Sequence, residues 1–160
     1  MALGITVKKD LRRLEFLKRL SKTPQWRSIR RAVGNLLVGR IQKNFRVGGR
    51  PRRWKPKVTG EPSYLHKTGR LRASVTAQYP GKYLIRIGSN VKYGAIHHFG
   101  GVIKARRKPY LVFKVGDQWV MKKKVKIPRR PWLVLTKEDT KDASKGLWEQ
   151  IEKAMSAIGE

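Results

Sequence analysis

The chain contains no cysteine, which excludes disulfides, thiolate metal sites and a cysteine nucleophile and fits residence in a reducing cytosol. It is poor in acid, with ten Asp and Glu among 160 residues, and it has only three histidines. No apolar run approaches the roughly eighteen residues of a membrane span. The opening stretch MALGITVKKDLRRLEF lacks the uninterrupted apolar segment of a secretory signal. These absences predict a soluble protein made in the cytoplasm. There is no internal repeat and no low-complexity tract.

Basic residues are what the chain has in excess. Thirty-nine Lys and Arg give a formal charge of +29 and a sequence pI near 11.3, where a nucleic-acid footprint is suspected. Self-repulsion on this scale opposes compaction unless counterions, an anionic partner or neighbouring subunits relieve it, so a partner is implied. Hydrophobic residues make up 39% of the chain, with five Trp, five Tyr and four Phe. A chain of this length fits one domain over residues 1–160, burying roughly 70% of its unfolded surface.

Apolar periodicity predicts a basic amphipathic helix from about 7 to 21, through Val7, Leu11, Leu14, Leu17 and Leu20. Thr23 and Pro24 supply a hydroxyl cap and a first-turn proline for a longer helix over 24–46, whose stripe runs from Trp26 to Phe45. The glycine- and proline-rich segment 47–66 reads as an extended basic loop. Thr68 and Gly69 open a short helix to about Val75; a Pro80-Gly81 turn leads to a strand over 83–88. Residues 110–115 and 118–124 form a hairpin across Gly116-Asp117, a pair that suits a type II′ turn. A short strand is expected over 132–135, and Thr136 caps a last helix over 136–158 with Glu138 and Asp139 in its first turn.

The charge is regional. No acid occurs between Phe16 and Gly60, whereas residues 136–160 hold six of the ten acids and four lysines. The candidate polyanion or partner contacts are Arg46, Arg50, Arg52, Arg53, Lys55 and Lys57, then Lys104, Arg106, Arg107 and Lys108, then Lys122, Lys123 and Lys124. Such clusters position a protein on phosphates without reading sequence, which takes side chains aimed at base edges. A nonspecific nucleic-acid-binding protein is therefore one reading of the composition.

Nothing points to catalysis, a metal or a cofactor. His66, His97 and His98 have no cysteine or neighbouring carboxylate to share a metal with. Glu138, Asp139 and Asp142 lie at a helix start, where the dipole explains them. Ser63, Ser74 and Ser89 lack a nucleophile-elbow context, and no glycine pattern cradles phosphates. Trp26, Trp54, Trp132 and Trp148 are read as core side chains rather than base-stacking platforms.

Four ordered pieces carry a resemblance. Phe45 is followed after eight residues by Trp54-Lys55-Pro56; Leu65 leads through Thr68-Gly69 and Leu71 to Ser74-Val75. Next come Ile87-Gly88-Ser89, Tyr93, Ile96-His97 and Phe99-Gly100-Gly101, and then Ile127-Pro128 with Arg130-Pro131-Trp132-Leu133. This set resembles the virion morphogenesis, or tail-completion, family of tailed phages over about residues 41–135. His98 stands where Gln is common in that pattern, and Gly94 where Ala is usual.

The resemblance implies an α+β fold: N-terminal helices and a C-terminal helix packed on a small antiparallel sheet, with a projecting β-hairpin at 110–124. It further implies a homo-oligomeric ring, six-fold or twelve-fold, at the head-to-tail junction of a virion. Its partners there would be neck, connector and tail-tube proteins and packaged double-stranded DNA. In that reading the motifs are architecture, with Tyr93, Phe99 and Trp132 supplying core mass, glycines allowing turns, and Pro128 and Pro131 fixing the entry to an edge strand.

Overall fold

The computed structural model describes residues 15–57, 59–65 and 67–158. Residues 7–14 of the expected N-terminal helix lie outside that range, as does His66; residues 15–20 are helical (α1). A three-residue turn leads to α2, Pro24–Val47. Thr23 has the extended backbone of a cap, but its hydroxyl does not cap α2: it turns back and donates to the Leu20 carbonyl at 2.7 Å, closing α1 instead. Pro24, which has no N–H to satisfy, lets α2 start without it.

α2 is the spine, about 36 Å long at 1.5 Å per residue, and each end organises its own buried cluster. Near its start Ile29 packs with Phe16 and Leu20 of α1 and Ile151 of α5, Lys137–Ile158. Near its end Ile41 and Phe45 pack with Trp54, Leu71, Val75 and Trp132. Phe45 is the pivot, edge-on to Trp54 and tilted against Trp132, both at 5.8 Å between ring centroids. Full burial contributes about 2 kcal/mol for each such large side chain. Trp54 and Trp132 are thus core, as expected. Trp26 is half-buried on the first cluster and donates to the Lys82 carbonyl, whereas Trp148 is exposed.

The 47–66 segment forms no regular element but is tied down. Trp54 N–H donates to the Gly48 carbonyl at 2.7 Å, and its indole N–H to Pro131 at 3.3 Å. Arg50 folds inward, with its guanidinium on both carboxylate oxygens of Asp139 at 2.8 and 3.0 Å and its Nε on Asn44 at 2.8 Å. Burial works against the Asp139 charge, but the Arg50 hydrogen bonds, the Thr136 N–H and the Arg50 charge outweigh it and hold the carboxyl below its ordinary value. Thr136 Oγ1 in turn accepts from Asp139 N–H at 3.2 Å. This reciprocal capping box fixes where α5 begins.

Among the described residues the β-structure is three two-stranded antiparallel ladders rather than one small sheet. β1, Thr76–Gln78, was not anticipated; it pairs with β2, Arg86–Gly88, which is shorter than the 83–88 strand expected. Tyr83 and Leu84 stand outside that ladder and are exposed. The short helix α3 spans Arg70–Ala73. Residues 132–135 are not a strand, because the buried Asn44 amide donates to the Trp132 and Val134 carbonyls at 2.9 and 2.8 Å. A side chain takes the place of a neighbouring strand. No described helix is long and apolar enough to cross a membrane.

Candidate assembly interface

The Tyr93 to Gly101 motif builds a short helix, α4, Gly94–Phe99. It is held from behind: Trp132 indole donates to the Gly94 carbonyl at 2.8 Å, Leu133 N–H to His98 Nδ1 at 3.3 Å, and Arg130 N–H to the His97 carbonyl at 2.8 Å. The bare backbone at Gly94 admits this packing, since a Cβ there would stand 3.2 Å from both Leu71 and Trp132. His97 and His98 are pulled below the ordinary histidine value by burial first, then by the charges of Arg130 and Arg129 respectively. Arg130 is buried and donates to the Lys55 and Pro56 carbonyls at 3.2 Å each, tying the basic loop to the same base. Thr68, Gly69 and Leu71 form the entry to α3, with Leu71 in the core.

Gly100 then turns the chain outward with φ 75°; a Cβ there would meet the Arg129 backbone nitrogen at 2.8 Å, so only glycine fits. From this root an arm extends through residues 101–127. β3, Gly101–Lys104, pairs with β6, Lys124–Ile127, and β4, Leu111–Val115, pairs with β5, Gln118–Lys122. The expected 110–124 hairpin is therefore the distal part of a longer ribbon, with Gly116 at φ 60° making its two-residue turn. Pro128 sits just past β6 and Pro131 just before the buried Trp132.

Register brings together basic clusters that are far apart in sequence. Lys104 lies directly opposite Lys124, and Ala105 N–H donates to the Lys123 carbonyl at 3.0 Å. Residues 105–110 therefore loop out of the ribbon beside Lys122 to Lys124, carrying Arg106, Arg107 and Lys108. All seven of the expected basic residues here are exposed. Like charges facing across a ladder, as in this basic collar, repel. The other cluster divides: Arg46, Arg52, Arg53, Lys55 and Lys57 are exposed, whereas Arg50 is committed to Asp139.

The arm also carries apolar residues that are exposed among the described residues. Val112 faces Met121 and Lys114 faces Trp119, which places these four side chains on one face of the ribbon. Val112, Trp119 and Met121 are 56%, 70% and 66% exposed, and the Lys114 ammonium lies 5.7 Å from the Trp119 ring centroid. Leu111, Phe113, Val115 and Val120, on the opposite face, are half-buried. No residue of the arm belongs to either buried cluster.

At the root Phe99 is 71% exposed, and Tyr93, Val102 and Ile103 are exposed as well. Tyr93 and Phe99 are thus not core, contrary to expectation; Tyr93 stacks edge-on against His97, and Phe99 lies edge-on to the His98 ring at 4.7 Å between centroids. The apolar face was missed because each strand was read alone. LVFKV and QWVMK are apolar in both phases of the alternation, and a ribbon without a covering layer cannot hide both.

The phage virion morphogenesis family matches residues 9–152 of the chain. The chain is also similar to the Mu-like prophage FluMu G protein 2 of Haemophilus influenzae, 35% identical over 127 residues that cover 79% of each protein. No solved structure matches. A match across nearly the whole length, on a scaffold whose motif residues hold the root of a projecting arm, leaves one assignment: the chain belongs to the phage virion morphogenesis family.

Proposed function

We propose that this protein is a structural subunit that completes the neck or tail of a tailed phage, assembling as an oligomeric ring at the head-to-tail junction. The observation that carries the reading is the arm at 101–127, which sets exposed Val112, Trp119 and Met121 beside lysines and contributes nothing to the core of its own chain. Exposed apolar patches of this kind mark surfaces that another molecule covers. A two-stranded ribbon alone is marginal in water, so the arm gains its stability in a complex. The basic collar then faces DNA or acidic neighbours in the assembled junction.

Electron microscopy of the purified protein, alone and mixed with tails lacking their terminal protein, tests this directly. Rings, or particles capping tail ends, are expected. Persistent monomers that bind no tail contradict it. The charge of +29 also favours a second reading, nonspecific nucleic-acid binding, which a DNA titration separates. Monomers whose duplex affinity falls with salt at a slope of about 0.9 per neutralised phosphate would favour that reading.

A further inference from the structure

We infer that the apolar face of the arm seats in the groove between α1 and α5 of a second copy of the chain, a head-to-tail contact that repeats from subunit to subunit. The inference rests on the assembly reading above and names the two surfaces that meet. The groove holds about 180 Å³ and is lined by Phe16, Leu17, Trp148, Ile151, Glu152 and Met155. Its lining is apolar apart from the Glu152 carboxylate.

Charge decides between a second copy and no contact at all. Two chains of +29 repel unless the contact sets bases against acids, and acids are scarce everywhere except the C-terminal region, which holds six of ten. The arm has the opposite character: between 101 and 127 it carries nine Lys and Arg against Asp117 alone. Val112, Trp119 and Met121 match the apolar lining, and Lys114, on the same face, matches Glu152. A second concavity, between β1 and β2, has Arg86 in its lining and no acid, so it offers nothing to Lys114.

Reach and symmetry agree with the pairing. Nine paired rungs give about 30 Å of ribbon, enough to leave its own subunit. Because arm and groove are different surfaces, each copy gives one and receives one. Such heterologous contacts close into rings when the rotation allows.

The absence of native cysteine makes the test clean. In the full-length chain carrying both Met121→Cys and Met155→Cys, mild oxidation is expected to give a ladder of covalent multimers, while each single variant gives none beyond dimer. Trp119→Ala is expected to raise the concentration at which oligomers form by about thirtyfold, the scale of losing a buried aromatic anchor. Lys114→Glu and Glu152→Lys should each weaken assembly and together restore it, a rescue that misfolding could not produce.

If light scattering shows oligomers but the double-cysteine variant gives no ladder, or Met121→Cys alone accounts for every covalent product, this contact is wrong while the assembly reading stands. If the native chain stays monomeric throughout, both fall.

Discussion

Arg50 shows how far a residue's role departs from its composition. Read as one basic residue among many, it is instead the partner of Asp139, whose side chain is 1% exposed. Removing one member of a buried pair leaves the other uncompensated, so Asp139→Asn is expected to cost about 3 kcal/mol, measured by urea unfolding. The pH dependence has a definite sign. The Asp139 carboxyl is depressed in the fold, so its contribution is complete above the unfolded value of about 3.9 and is lost as pH falls below it.

The histidines act in the same direction at higher pH. His97 and His98 are also depressed, so the unfolded chain binds more protons below about pH 6.5 and stability falls as pH drops through that region. His98→Gln keeps an acceptor for the Leu133 N–H and removes one titrating group; its unfolding midpoint should vary less between pH 7 and pH 5 than that of the native chain. Trp54→Ala, in the Phe45 cluster, is expected to cost about 4 kcal/mol. Phe99→Ala, at an exposed site, should change stability by about 0.5 kcal/mol at most while impairing assembly. Equal losses of stability at Trp54 and Phe99 would restore Phe99 to the core.

At the scale of elements, the long helices and the hairpin were legible because their signals are local. Pro24 and the glycines at 48 and 49 bracket α2, the Thr136 and Asp139 box starts α5, and Gly116-Asp117 sets a two-residue turn. Gly116→Ala places a side chain at φ 60° and should cost about 1–2 kcal/mol, seen as faster amide exchange confined to β4 and β5. What was not legible depended on distant partners. β1 and β2 are three residues each and exist only as a pair; 132–135 is held by Asn44 from eighty-eight positions away, not by a strand. The β3–β6 ladder could not be anticipated from KVKI and GVIK singly, nor could the bulge that gathers the basic collar.

At the scale of the whole molecule, one fact organises the rest: the residues that look most like a core in β4 and β5 join neither buried cluster of the described residues. The four ordered motifs pointed to the family, and the structure shows what they build, a Trp132-anchored base under an outward arm. Exposed Trp119 and Met121 on a chain of +29 charge are what support the proposed assembly with neighbouring copies.

The most direct measurement is the molar mass of the full-length chain by light scattering across a range of concentrations, beside a variant carrying Val112→Ser, Trp119→Ser and Met121→Ser. The native chain should form a closed oligomer of defined mass, and the variant should remain monomeric while keeping the helical circular dichroism of a folded chain. A variant that assembles to the native mass at the same concentrations would contradict the central claim, because the arm's apolar face would then not be what joins the subunits.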